Sequence, residues 1–254
     1  MCGFTGVISF ENINNQLVKK ANKFCICRGP DNFSETNGKD DLNFDLIFNR
    51  LSIVDLNNNA NQPMYSKKYN SLIMFNGEIY NSPDLRKELI NKYNFITSHS
   101  DTETLFAGLN IFGIEFIKRL EGQFSIVYWN KINKKIYLIK DRLGQKPLFF
   151  SLSNHTLNFG SNLKSVYSLN QKNSLSKEAL DEYILYGVNL SPNTIFSEIS
   201  KVDQGSYIEI DYDKKYFKPI KNKYWQPSSF IDDKEFSEDE FFNFFHQSVE
   251  KRLI

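Results

Sequence analysis

Met1-Cys2-Gly3-Phe4-Thr5-Gly6 opens the chain, and the reading of the fold turns on its second residue. Initiator Met is generally removed when the next side chain is small, which would leave Cys2 with a free α-amine beside its thiol. The amine has a pKa of about 7.7–8.0 and the thiol about 8.5, so at neutral pH the amine is partly unprotonated. It can take the thiol proton directly or through one water, as a base that needs no histidine. Taken alone, a Cys at position 2 reads better as an incidental small hydrophobe. The stretch has no basic flank and no long apolar core, so it is not a secretory signal. The residues that follow, Phe4–Phe10, read as a strand.

Further out, short apolar or alternating runs bounded by Gly, Asn and Asp recur. They are Leu46–Val54, Ser71–Phe75, Gln123–Trp129, Lys135–Lys140, Pro147–Ser151 and Thr156–Gly160. The short polar steps after Trp129 and after Phe150 suggest hairpins, hence antiparallel pairing. Helical patterns are fewer. Ser82-Pro83 reads as a cap and a first-turn proline opening Asp84–Tyr93. Thr102–Phe112 and Glu115–Leu120 follow, separated by Gly113, and Ser176–Tyr186 stops at Gly187. Grouped strands with helices between the groups argue for antiparallel sheets covered by helices. From Asp211 to Asp233 the chain turns polar and reads as a linker or irregular arm. Ser237-x-x-Glu240 is then a capping box opening Phe241–Leu253, whose Phe242, Phe245, Val249 and Leu253 share one face.

Composition sets the outer limits. The 254 residues allow one large domain or two modest ones, at roughly 100–200 residues each. The 31 basic and 30 acidic residues nearly cancel, which excludes a strong field toward nucleic acid or anionic lipid. Aromatic residues make up 15% of the chain, including 23 Phe, enough to build a sizeable core. Three cysteines, two of them only one residue apart, do not make a disulfide framework, which favours a reducing, cytoplasmic setting. Cys25-x-Cys27 is not a usual zinc spacing and the three histidines lie far from it, so no metal is expected. No apolar stretch approaches the length of a membrane span.

The N-terminal hexapeptide resembles the start of the class II glutamine amidotransferases. Further segments resemble the glutamine-hydrolysing asparagine synthases in particular. These are Arg28-Gly29-Pro30-Asp31, Asn49–Asp55, Gln62-Pro63-Met64, Phe75–Asn81, Ser100-Asp101-Thr102-Glu103, Glu121–Phe124, Asp141–Leu148, Phe159-Gly160-Ser161, Tyr224-Trp225 and Ser248–Leu253. They run in order over nearly the whole chain. The resemblance implies an α+β fold: the four-layer αββα sandwich of N-terminal nucleophile hydrolases, with two antiparallel sheets. It implies a glutaminase domain over residues 2–210, a linker over 211–236, and the first helix of a further domain over 237–254.

It also implies roles. Cys2 is the nucleophile, and Asn76 and Gly77 form the oxyanion hole. Arg50 holds the α-carboxylate of glutamine, and Asp101 and Glu78 hold its α-ammonium. Leu51 and Ile53 line the pocket with their backbone. Read without the resemblance, Asn76-Gly77 is a hairpin turn and Asp101 a helix N-cap. Arg50 could be a surface residue, although it lies in an apolar strand pattern where an unpaired charge is costly.

Three positions depart from the family pattern: Cys27 stands for a usual His, Asn162 for a usual Glu, and Lys140 for a usual Arg. A larger departure is that no Ser-Gly-Gly-x-Asp-Ser phosphate loop, nor any other Gly-rich phosphate cradle, follows Arg142. The chain therefore reads as a fragment or a prematurely ended product. It supplies ammonia from glutamine with no cofactor, while ATP, magnesium and aspartate belong to the absent domain. The last helix, left without a partner, is expected to draw the chain into a homodimer. Two rivals remain. One is an amidotransferase with another acceptor, such as a sugar, phosphoribosyl pyrophosphate or a polysaccharide carboxylate. The other is a catalytically idle glutamine-binding module.

Overall fold

A computed structural model describes residues 2–230 and 236–253. In it β1 (Gly3–Ser9) runs between β3 (Asn43–Arg50) and β9 (Thr156–Gly160), antiparallel to both. β2 (Asn32–Lys39) lies outside β3. β8 (Phe149–Leu152) and the short β10 (Ser200–Lys201) lie outside β9, giving the order β10-β8-β9-β1-β3-β2. The second sheet is built from β4 (Met64–Ser66), β5 (Ser71–Ile79), β6 (Gly122–Asn130), β7 (Lys135–Lys140), β11 (Ser206–Asp211) and β12 (Lys218–Lys223). Its order is β12-β11-β7-β6-β5-β4, again antiparallel throughout. The hairpins expected after Trp129 and Phe150 are the β6–β7 and β8–β9 pairs.

The two-residue period of each strand sorts its side chains between two faces. Phe4 and Ile8 of β1, Leu46 and Phe48 of β3, Leu72 and Met74 of β5, and Val127 and Trp129 of β6 meet between the sheets. Each such burial is worth roughly 1.5–3 kcal/mol. The alternate residues face helices. Val7 and Ile47 pack with Val18 and Ala21 of α1 (Asn15–Asn22) and Leu169 of α4 (Leu163–Leu169). Ile73, Phe75, Phe124 and Ile126 pack with α2 (Ser82–Leu89) and α3 (Asp101–Phe112) through Leu85, Leu105, Phe106 and Leu109. Helix, sheet, sheet and helix are thus the four layers expected. α5 (Lys177–Tyr186) begins at Ser176, whose hydroxyl accepts from the Ala179 amide, and ends at Gly187 with φ 72°.

Several elements differ from the sequence reading. β3 stops at Arg50, four residues short of Val54. The chain then becomes irregular, with Asp55 in the left-handed region at φ 57°. Asn76-Gly77 is not a turn but the interior of β5. Glu115–Leu120 is a 3-10 segment, Ile114–Arg119. The polar stretch after Asp211 is not all linker: β12 lies in it and pairs along its full length with β11. Tyr224 and Trp225 then return their amides to the Gly205 carbonyl. Residues 231–235 of that expected linker lie outside the described residues. The last helix, α6 (Glu238–Glu250), starts at the Ser237 cap, and Phe241, Phe242, Phe244 and Phe245 on it are exposed. Beyond it, Lys251 pairs with Glu121 at 2.6 Å and Arg252 stacks on Tyr80. Among the described residues no helix is long and apolar enough to cross a membrane.

Candidate active site

Strand parity brings the site together. Cys2 lies two residues before Phe4, Arg50 two after Phe48, and Asn76 and Glu78 two and four after Met74. Each therefore points into the space between the sheets, just past the end of the apolar core. The β1–β3 register pairs Gly3 with Asn49, so the next position along sets Cys2 beside Arg50 from the same sheet, while Asn76 and Glu78 face them from the other. The resulting cavity has a volume of about 250 Å³ and is lined by Cys2, Arg50, Leu51, Ile53, Asn76, Gly77, Glu78 and Asp101, with Gln62, Gln123 and Lys146 among its other walls. All eight residues singled out in the sequence meet in it. Its volume lies just below the roughly 300–1,000 Å³ of drug-sized ligand sites.

The half-buried thiol of Cys2 sits against the Leu51 peptide, whose N–H donates to the sulfur at 3.4 Å. Burial pushes this thiol above its ordinary value, and the Leu51 amide offsets that only in part. A resting thiolate is therefore disfavoured, and no histidine lines the cavity to remove the proton. Arg28 Nε donates to the Cys2 carbonyl at 3.1 Å and holds Cys2 in place. Gly3 packs on Arg28, with room for a Cβ only at 3.0 Å.

Arg50 is buried, and the irregular loop after it wraps its guanidinium. One terminal nitrogen donates to Asn57 O at 3.1 Å and Asn61 Oδ1 at 2.8 Å, and the other donates to Asp55 O. These bonds take three of its five N–H donors, leaving a planar cation facing the cavity with donors to spare. Asp55 holds the loop, accepting from the Asn57 and His99 amides at 3.0 and 3.2 Å. Ile53 lies on this loop and lines the cavity, with a largely exposed side chain.

The outer edge of β5 supplies the remaining donors. Gly77 faces Phe124 in the ladder, and the Phe124 amide and carbonyl are both turned to Asp141, at 3.1 and 3.0 Å. The Gly77–Phe124 pair is therefore the non-hydrogen-bonded kind, and the Gly77 N–H points to the other edge, where β4 has already ended. A Cβ at Gly77 would lie 2.1 Å from the Gln123 oxygen, so only glycine fits. The neighbouring edge amides are occupied: Phe75 N donates to Gln62 Oε1 at 2.6 Å and Ile79 N to Asp101 Oδ2 at 3.1 Å. Beside this open N–H, the buried Asn76 Nδ2 has no hydrogen-bond partner among the described residues, and neither does Glu78 Oε1. Buried polar atoms without partners are rare, and these two belong to residues that line one cavity.

Asp101 begins α3 but does not cap it; Ser100 does, accepting from the Glu103 amide at 3.4 Å. Burial, with Glu78 nearby, raises the Asp101 carboxyl to about 6, although the Ile79 and Thr102 amides favour its charged form. The loop before it is braced by Glu103, which accepts from the Ile96 and Thr97 amides at 2.8 Å, and by Arg86 stacked on Phe95.

Sequence reasoning missed Gln62 and Lys146 as site residues. Both fall within segments that matched the family, Gln62–Met64 and Asp141–Leu148, but nothing in their spacing assigns a role. Lys146 is buried in the cavity wall, its amide donating to Asp141 Oδ2 at 3.0 Å, and burial and then Arg28 push its ammonium down. Cys27 is exposed, and Asn162 caps α4 through the Lys164 amide and donates to Phe24 O at 3.1 Å. Among the described residues no group of His, Cys, Asp and Glu could hold a metal. A larger cleft of about 780 Å³ lies beside β8 and the end of α4, but it gathers none of the unpartnered polar atoms.

Residues 1–225 match the family model described as a glutamine amidotransferase domain. The asparagine synthetase [glutamine-hydrolyzing] 1 of Bacillus subtilis is 32% identical over 237 residues, an alignment covering 88% of this chain and 37% of that protein. A putative asparagine synthetase of Methanocaldococcus jannaschii is 28% identical over 252 residues, covering 89% of this chain and 47% of its own length. Among solved structures, the glutamine phosphoribosylpyrophosphate amidotransferase of B. subtilis superposes with a TM-score of 0.59 at 14% identity, over 89% of this chain and 50% of that one. That likeness speaks to the fold alone. The chain spans less than half the length of these curated relatives.

Proposed function

Because the chain belongs to the glutamine amidotransferase domain family, we propose that its cavity hydrolyses glutamine to glutamate and ammonia through a thioester on Cys2. The observation that carries this reading is the meeting, in one small cavity, of the Cys2 thiol with an unpartnered Asn76 amide, the open Gly77 N–H and the Arg50 guanidinium.

Glutamine enters with its α-carboxylate on Arg50, a planar fork suited to a bidentate contact. Its α-ammonium lies between Asp101 and Glu78. The Cys2 sulfur attacks the side-chain carboxamide carbon, and the carbonyl oxygen becomes an oxyanion held by Asn76 Nδ2 and the Gly77 N–H. Since burial disfavours a free thiolate and no histidine lines the site, the proton leaves through the α-amine of Cys2 once Met1 is removed. The same amine returns it to the departing nitrogen. The carbon–nitrogen bond breaks, ammonia leaves, and water then hydrolyses the γ-glutamyl thioester.

The asparagine synthetase relatives support a finer reading, in which the ammonia serves an ATP-dependent conversion of aspartate to asparagine. That step, with ATP and magnesium, would lie in the part of the relatives' length that this chain does not span. The test is intact-mass analysis before and after 6-diazo-5-oxo-norleucine, together with glutaminase assays. The expected result is loss of Met1, one adduct mapped to Cys2, and no turnover in Cys2→Ala. Normal turnover in Cys2→Ala, or in protein that retains Met1, overturns the mechanism.

A further inference from the structure

We propose that Gln62 is a positioning residue for the oxyanion hole. Its side-chain amide stands in for a strand that stops short, and it fixes the stretch of β5 that presents Asn76 and Gly77. The inference rests on the reading of Cys2 as a glutaminase nucleophile.

β4 pairs with β5 from Ser66↔Ser71 to Met64↔Ile73. Continued two residues, that register would place the backbone of residue 62 opposite Phe75. The ladder does not continue: β4 ends at Met64, and the residue before it, Pro63, has no N–H to offer. In place of a backbone partner, the Gln62 side chain lies along the edge. Its Oε1 accepts from the Phe75 N–H at 2.6 Å, and its Nε2 donates to the Phe75 carbonyl at 3.1 Å. One amide thus makes the reciprocal pair of bonds that a neighbouring strand residue would make. Gln62 is buried, and its own carbonyl accepts from the Ser34 hydroxyl of β2, so it is held from behind.

The second donor of the amide reaches Thr102 Oγ1 at 3.3 Å, in the first turn of α3 next to Asp101. Both amide protons are then used, and one side chain joins the oxyanion strand to the helix carrying the ammonium-binding carboxylate. Asp101 closes the other end of the segment by accepting from the Ile79 N–H at 3.1 Å. Of the three amides on this edge, Phe75 and Ile79 are anchored by side chains and Gly77, between them, is left for the oxyanion. Without these anchors the segment is held by β6 on one side only, and a displacement of about 1 Å in such a group can cost roughly 100-fold in rate.

The test compares Gln62→Met, which fills the space but makes neither bond, with Gln62→Glu, which can accept from Phe75 N–H but cannot donate to its carbonyl. Four quantities are measured on the full chain: kcat and KM for glutamine, the rate of inactivation by saturating 6-diazo-5-oxo-norleucine, and thermal stability. Gln62→Met should lose about 10- to 100-fold in kcat and in inactivation rate. Its KM should move less than about threefold, because the oxyanion develops only in the transition state. If Gln62→Met does not fold, Gln62→Glu carries the test, with a loss of at least about fivefold in the same two rates. A purely structural role would lower the melting temperature while leaving kcat of the folded protein unchanged, and that result overturns the inference. So does a rise in KM as large as the loss in kcat. If the wild-type chain itself shows no turnover and no inactivation, the glutaminase reading fails instead, and the two failures are distinct.

Discussion

The Leu51 amide lies 3.4 Å from the Cys2 sulfur, so the first residue past β3 is the one that touches the thiol at the start of β1. This contact follows from the β1–β3 register and offers the sulfur a single donor. Burial outweighs that donor, and the thiol is held above its ordinary value.

The thiol of Cys2 should therefore alkylate slowly at neutral pH and faster as pH rises, with a midpoint above that of an unperturbed cysteine, about 8.5. Iodoacetamide labelling followed by peptide mapping checks this and separates Cys2 from the exposed Cys27. The measurement belongs on protein that retains Met1, where no adjacent α-amine assists; a midpoint at or below the ordinary value would contradict the buried geometry.

Asn76→Ala removes one of the two oxyanion donors. Turnover of glutamine should fall about 100- to 1,000-fold, with KM changed by less than about threefold, because the bond forms only as charge develops on the oxygen. Steady-state kinetics decide it. A change confined to KM would place Asn76 on the bound substrate instead.

Arg50→Lys keeps the charge but loses the fork, along with the bonds to Asn57, Asn61 and Asp55. The KM for glutamine should rise about 100-fold, equivalent to roughly 3 kcal/mol of binding, with a smaller effect on kcat. Unchanged KM would remove Arg50 from the carboxylate site.

Asp101 must be ionised to hold an α-ammonium, and burial raises its carboxyl to about 6. A raised value means the neutral form persists to higher pH, so kcat/KM should fall as pH drops through about 6. In Asp101→Asn this acid limb should vanish and kcat/KM should be low at every pH. A limb near 4 in the wild-type protein would show that the carboxyl titrates as an ordinary one.

Asp45 tests the same physics away from the site. It is fully buried in β3 with no hydrogen-bond partner on either oxygen among the described residues, and burial, with Glu35 nearby, raises it to about 6. Its folded value lies above its unfolded one, so the stability associated with this group is present below about pH 4 and lost as pH rises through 6. Asp45→Asn should raise the melting temperature at pH 7.5 by several degrees, on the order of 3 kcal/mol, and by much less at pH 4. Equal shifts in thermal melts at the two pH values would show that ionisation is not the cause.

Much of this was legible in the chain as written. Apolar runs of period two, broken by Asn and Gly, indicated the central strands β1, β3, β5, β6, β7 and β9, because those strands bury a face and their residues show it. What failed were elements whose stability comes from their neighbours. β2 and β12 are polar edge strands with little apolar alternation, held by the exposed edges of β3 and β11, and a local pattern cannot register that. Asn76-Gly77 misled for the opposite reason: its local chemistry suits a turn, but the ladder with β6 overrides it and uses the glycine for a close approach to Gln123.

The sequence by itself determined which groups were available, a cysteine beside the chain start, an arginine at the end of an apolar strand, and a carboxylate before a helix. Only the tertiary structure decided that Cys2, Arg50, Asn76 and Glu78 share one face of one gap, and that of three amides along the free edge of β5 only Gly77 is left open. The physical reason is that side-chain period is a property of each strand, whereas the register between strands and the stacking of two sheets are set by contacts between residues far apart in the chain.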